Sequence, residues 1–268
     1  MITISNYTAL PFLYDNKPSE RFGLFLINLG DKGIVSSSGG GKATTKKEYI
    51  NRNFTAFDYG LIQNNSMSFE FIFGSLKLLD RQEIDVIQSW LINQIAPKKL
   101  QIVQNDLENV YFQCRLMNPE IISIDNVPFA FKATVECNQP FALEPYRTKI
   151  YTPTLSINNL IHYNNTSNND YTRPIIEVTM GTATTSVKIT NNSDGGRFIE
   201  LASLSPNEII TLDSAKQMIT SSLGLHRLNN FTTNKHWFRL VQGKNDIRIN
   251  GILASFKITS QNVRKVGS

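Results

Sequence analysis

Two cysteines, three histidines and 18% charged residues are little for a chain of 268. Cys114 and Cys137 are too few to staple a disulfide scaffold, and synthesis in a reducing cytoplasm is expected. No stretch approaches the roughly 18 apolar residues that a membrane-crossing helix needs, so no membrane insertion is expected. The first residues show no basic region followed by an apolar run, and no secretory signal is expected. His162, His226 and His236 fall in no zinc pattern with the cysteines. Neither His-Glu-x-x-His nor Gly-x-Ser-x-Gly occurs. Gly39-Gly-Gly-Lys42 imitates a phosphate loop, but Ser36 stands where the leading glycine belongs and Ala43 replaces the required Ser or Thr. No catalytic residue, metal or cofactor is therefore expected, and the chain does not read as an enzyme.

The length suits two domains of roughly 100–150 residues each. Apolar residues make up 41%, enough for each half to bury a core. The charge is uneven. Residues 1–146 hold 13 Lys and Arg against 15 Asp and Glu, a balance of −2, and residues 147–268 hold 14 against 7, a balance of +7. A basic second half suits an acidic partner, although scattered charge also serves solubility alone.

Periodicity places strands and one helix in the first half. Phe22 to Leu29 reads as a buried strand, and Ser66 to Phe73 alternates up to Gly74. Asp80 caps a helix with Glu83 three residues on; Ile84, Ile87 and Leu91 share a face beside Trp90, and Pro97 ends it. A long hairpin follows, with Asp125-Asn126 as its two-residue turn. Mirror pairing about that turn sets Cys114 opposite Cys137, unless a bulge near Pro119 slips the register. Tyr151 to Arg173, rich in Asn, Thr and Ser, reads as an ordered linker or first loop. Short alternating strands at Pro174–Met180, Thr185–Thr190, Arg197–Leu201, Glu208–Asp213, Trp237–Val241, Asp246–Asn250 and Leu253–Thr259 then argue for a β-sandwich. Gly243-Lys-Asn reads as the turn before the last pair. Trp237, beside His236, has the chemistry to stack on a sugar or a base, but a buried or interface aromatic is the plainer reading.

The order of these features carries a resemblance. Glu136-Cys-Asn-Gln-Pro-Phe-Ala142 resembles the E-C-x-x-P-F-A element of the distal tail proteins of long-tailed phages that infect Gram-positive bacteria. Pro174-Ile-Ile-Glu-Val, Val187-Lys-Ile-Thr-Asn, Glu208-Ile-Ile-Thr-Leu-Asp213 and Leu240-Val-Gln-Gly-Lys-Asn-Asp-Ile247 resemble that family's C-terminal domain. The last departs by one residue, with Gln242 where the family usually has Pro.

The resemblance implies a mainly β fold with one helix in the N-terminal domain: a tail-tube-like, ring-forming domain over residues 1–146. Residues 147–268 would form a galectin-like β-sandwich. It implies a structural hub of the tail tip or baseplate in the virion, a homo-hexameric ring; stacking of rings in pairs is expected in solution, where the face meant for the tube is exposed. The ring would join the tail tube protein to the tail-associated tip protein and to receptor-binding or baseplate proteins, with DNA only as passing cargo. The alternative is a carbohydrate-binding adhesion protein of the same tip. The expected contact segment is a flexible loop carrying Ser36, Gly39, Gly40, Gly41, Lys42, Thr44, Lys46 and Tyr49, which would order against a neighbour or the tube.

Overall fold

The computed structural model describes residues 10–27, 66–92, 95–103, 109–153, 155–167, 171–183, 185–231 and 236–265, and the backbone of 43–48 and 57–63. The chain divides into two compact units, Met1–Leu143 with Arg264–Ser268, and Glu144–Val263.

Among the described residues the first unit holds ten strands: β1 (Phe12–Tyr14), β2 (Lys17–Pro18), β3 (Leu24–Leu26), β4 (Ala43–Glu48), β5 (Phe57–Gln63), β6 (Ser68–Ser75), β7 (Lys98–Ile102), β8 (Phe112–Ile124), β9 (Val127–Cys137) and β10 (Ala142–Leu143). Helix α1 (Arg81–Ile92) follows β6. Seven strands form one sheet in the order β2-β1-β7-β8-β9-β6-β3. The helix starts as the sequence reading expects: the Glu83 amide donates to the Asp80 carboxylate at 2.8 Å, and the Asp80 amide donates to Glu83 at 3.1 Å. This reciprocal pair satisfies two amides that a helix start leaves orphaned. Ile84, Ile87, Trp90 and Leu91 then bury themselves among Phe12, Phe71, Phe73, Leu100, Phe112 and Phe131.

Asp125 and Asn126 both take positive φ, +48° and +66°, so the β8–β9 turn is of the primed kind whose twist matches its strands. Two irregularities interrupt the hairpin. Phe129 is an extra residue on β9, opposite the Ile122–Ser123 step, and Asn118-Pro119 on β8 oppose Ala133 alone. The first slips the register by one and the second restores it, so Cys114 still pairs with Cys137.

The second unit holds β11 (Arg147–Tyr151), β12 (Ile157–Asn164), β13 (Ile175–Met180), β14 (Val187–Asn191), β15 (Arg197–Leu201), β16 (Ile209–Asp213), β17 (Met218–Ser221), β18 (Gly243–Asn250) and β19 (Leu253–Ser260); the two-residue β20 (Val263–Arg264) follows. A five-stranded sheet runs β11-β19-β13-β16-β17 and a four-stranded sheet runs β12-β18-β14-β15. Their alternate residues, among them Ile176, Val178, Ile189, Ile199, Ile210, Ile247 and Phe256, meet in one core, the β-sandwich expected.

Three local expectations are corrected. Tyr151–Arg173 is no linker: it holds the end of β11 and all of β12, which pairs with β18 over its whole length. Leu160 packs on the core, but the buried inward positions His162 and Asn164 are polar, which masks the alternation: Asn164 donates to the Val241 carbonyl, and His162 contacts the Tyr151 hydroxyl. Trp237–Val241 is no strand beyond a single bridge from Leu240 to Thr172. Asparagine side chains satisfy its backbone: Asn191 donates to the Arg239 carbonyl, and Asn245 both donates to the Val241 carbonyl and accepts from its amide. Gly243, read as a turn, opens β18 at φ +81°.

Candidate functional site

Of the expected contact segment, Ser36, Gly39, Gly40, Gly41, Lys42 and Tyr49 lie outside the described residues. Thr44 and Lys46 fall on β4, so this part is strand where a loop was expected. β4 pairs antiparallel with β5, Thr44 opposite Ile62, and the ladder slips at Lys46, which opposes Tyr59 and Gly60 together. A bulge of this kind twists a strand edge and interrupts its ladder.

Among the described residues no group of three His, Cys, Asp or Glu is placed to hold a metal ion. Cys114 and Cys137 are buried free thiols. Burial raises both, Cys137 to about 12, so neither supplies a thiolate near neutrality. His162 is buried, with Nδ1 3.0 Å from the Tyr151 hydroxyl and Nε2 without a partner among the described residues. Burial, helped by Lys149, lowers its pKa to about 4. Trp237 sits 5.4 Å from Phe231, and with Gln217, Leu228 and Asn229 they line an open cavity of about 550 Å³.

The motif residues have structural work instead. Cys137 and Ala142 are core residues, and the Cys137 amide donates to the Met67 carbonyl, tying the end of β9 to the start of β6. In Leu240–Ile247, Leu240 and Ile247 are core, Gly243 supplies the positive φ, and the fully buried Asn245 closes the bend. Its amide donates to the Val241 and Gly243 carbonyls, and its oxygen accepts from the Val241 amide and from Asn191. All four hydrogen-bonding positions of that side chain are used, so Asn is required where Asp or Leu would leave polar groups orphaned.

Glu208 carries the second unit's buried ion pair, which sequence reading did not anticipate because Arg227 lies 19 residues away. Arg227 grips it with two hydrogen bonds, 2.7 Å and 2.6 Å. The Ser221 hydroxyl and the Ser205 amide complete the carboxylate, and Arg227 also donates to the Ser203 carbonyl. Burial alone would raise the Glu208 pKa, but the Arg227, Ser221 and Ser205 bonds together hold it below the ordinary glutamate value.

Residues 7–139 match the family model described as a phage tail protein N-terminal domain, and residues 141–260 match that of a phage tail C-terminal domain. The chain belongs to the phage tail protein family. Among solved structures, the tail protein is similar to the Dit protein of phage SPP1, described as a paradigm of the hub adsorption apparatus in phages infecting Gram-positive bacteria. The TM-score is 0.69 at 12% identity, over 95% of this chain and 99% of that one. No curated protein sequence matches. The resemblance to distal tail proteins is borne out by these matches, and the mostly β fold with a single helix agrees with it.

Proposed function

We propose that this tail protein is the structural hub of the tail tip and has no catalytic role. In this reading residues 1–146 build a homo-hexameric ring and residues 147–268 project outward. The ring joins the tail tube protein to the tail-associated tip protein and to receptor-binding or baseplate proteins, and DNA passes through it. One observation supports this most: both units, in order and over nearly the whole length, follow the fold of a protein described as a paradigm of the hub adsorption apparatus. A channel ring needs identical subunits meeting head-to-tail around a closed rotation. The balance of −2 in residues 1–146 suits a channel that must not grip a polyanion. The segment 34–50, with Thr44 and Lys46 on β4, is the proposed ordering element.

The test is incorporation. Purified full-length protein mixed with the tail tube protein should co-elute with it as a complex. Deleting residues 34–50 should weaken this, and removing residues 147–268 should not. Failure of the intact chain to join both the tube and the tip protein would contradict the reading.

The second reading, a sugar-binding adhesion protein, is favoured by the Phe231–Trp237 cavity with its amide side chains. Selective glycan binding that Trp237→Ala abolishes would move the conclusion there.

A further inference from the structure

Among the described residues no strand covers the free edge of β12. The strand borders the four-stranded sheet and, among the described residues, pairs with β18 alone. The Gly251 amide donates to the Ser156 carbonyl, so Asn158, Leu160, His162 and Asn164 also turn their backbone groups towards β18. Ile157, Asn159, Ile161 and Tyr163 therefore turn theirs outward. Among the described residues one contact reaches that row, the Tyr151 hydroxyl donating to the Ile161 carbonyl at 3.2 Å.

Natural edges are blunted by lysine, proline, bulges or shortness. β12 has eight residues, no proline, no charge and an unbroken register. Three of the four side chains of its outward row are apolar and exposed, Ile157 47%, Ile161 46% and Tyr163 59%, and the fourth is the exposed Asn159. Ile150, on the neighbouring edge strand β11, is 60% exposed.

The surroundings are basic. Every described carboxylate of residues 147–268 has a cation: Glu177 with Lys257, Asp194 with Arg197 and Arg239, Glu200 with Lys188, Glu208 with Arg227, Asp213 with Lys216 and Asp246 with Lys244. Arg248, in register with Asn159, and Lys149 on β11 have no ion pair among the described residues.

The geometry points to strand addition: β12 is the docking edge for an extended segment of another tail protein. That segment carries apolar side chains at alternate positions and acidic residues near Arg248 and Lys149. An extended polypeptide backbone repeats its own N–H and C=O groups at the spacing of this row, a match that a glycan lacks, which is why the occupant is a strand. Backbone bonds supply affinity, and the pattern of Ile157, Ile161 and Tyr163 supplies register. The inference rests on the hub reading, for it names one of the hub's attachment surfaces.

The test is hydrogen exchange on the full-length protein with a short peptide alternating Ile and Thr between terminal Asp residues, and with the same peptide carrying a central Pro. The amides of Asn159, Ile161 and Tyr163 should exchange quickly in the protein alone. The first peptide should slow them about tenfold and the second should not. Ile161→Lys, at an exposed position, should weaken binding of the first peptide about tenfold and leave thermal unfolding unchanged. No slowing at saturating peptide, or equal slowing by both peptides, overturns the proposal. Slowing that follows protein concentration without peptide also overturns it, by assigning the edge to a second copy. Oligomer mass is read on the same samples. A ring with no peptide effect sinks strand addition alone, whereas a chain that neither forms a ring nor joins the tube sinks the hub reading.

Discussion

Cys114 and Cys137 face each other across β8 and β9, held in register by two bulges that cancel. The Cys137 amide is turned away, towards Met67, so the two cysteines form the closer, non-hydrogen-bonded kind of cross-strand pair. Both remain free thiols within the core. Thiol titration in denaturant, without reductant, should find two free groups. The folded protein should react far more slowly, because burial keeps both thiols protonated. Finding none in denaturant would show that the pair oxidises.

Trp90 anchors α1. It stacks on Phe22 at 4.3 Å and on Phe12 at 6.2 Å, and its indole N–H donates to the Tyr14 carbonyl at 3.2 Å. Trp90→Ala should cost about 3–5 kcal/mol in denaturant unfolding of the first unit. A loss near zero would mean that the helix does not pack as described.

The Glu208–Arg227 pair should be costly to break and cheap to replace. Arg227→Ala should destabilise by about 3–5 kcal/mol, since it leaves a buried carboxylate unpaired. Glu208→Leu combined with Arg227→Met should cost much less. The acid response has a definite sign. The folded pKa of Glu208 lies below its unfolded value of about 4.3, so the stabilisation is complete above that value. It is lost as pH falls through the folded value. Urea midpoints across that range should show the double variant to be less acid-sensitive than the parent.

His162 acts in a different window. Its folded pKa is depressed to about 4, against an unfolded value of about 6.5. The unfolded chain therefore takes up a proton first, and stability should decline as pH falls from about 6.5 towards 4, then level off. His162→Asn should remove that slope while Glu208 keeps its own below it. An unchanged slope would mean that His162 is hydrated in solution.

The elements with local chemistry were legible in the sequence. Asp80 and Glu83 marked the helix start, and Asp125-Asn126 marked the turn whose mirror rule paired the cysteines. What failed was chemistry whose partners lie far apart in the chain. β12 was hidden because His162 and Asn164 occupy inward positions that usually hold apolar residues. Trp237–Val241 alternates like a strand, yet Asn191 and Asn245 take its backbone groups from well outside any local window. The segment Ile157–Tyr163 reads as linker in the sequence because asparagine dominates its surroundings.

A closed ring of identical subunits has a mass that is a fixed multiple of the monomer's. Light scattering of the full-length protein across a concentration series, with negative-stain images of the same samples, should give six copies per particle with an open centre, or twelve where rings stack. A protein that stays monomeric at every concentration and salt, and that keeps a monomer's mass when mixed with the purified tail tube or tip protein, would contradict the account.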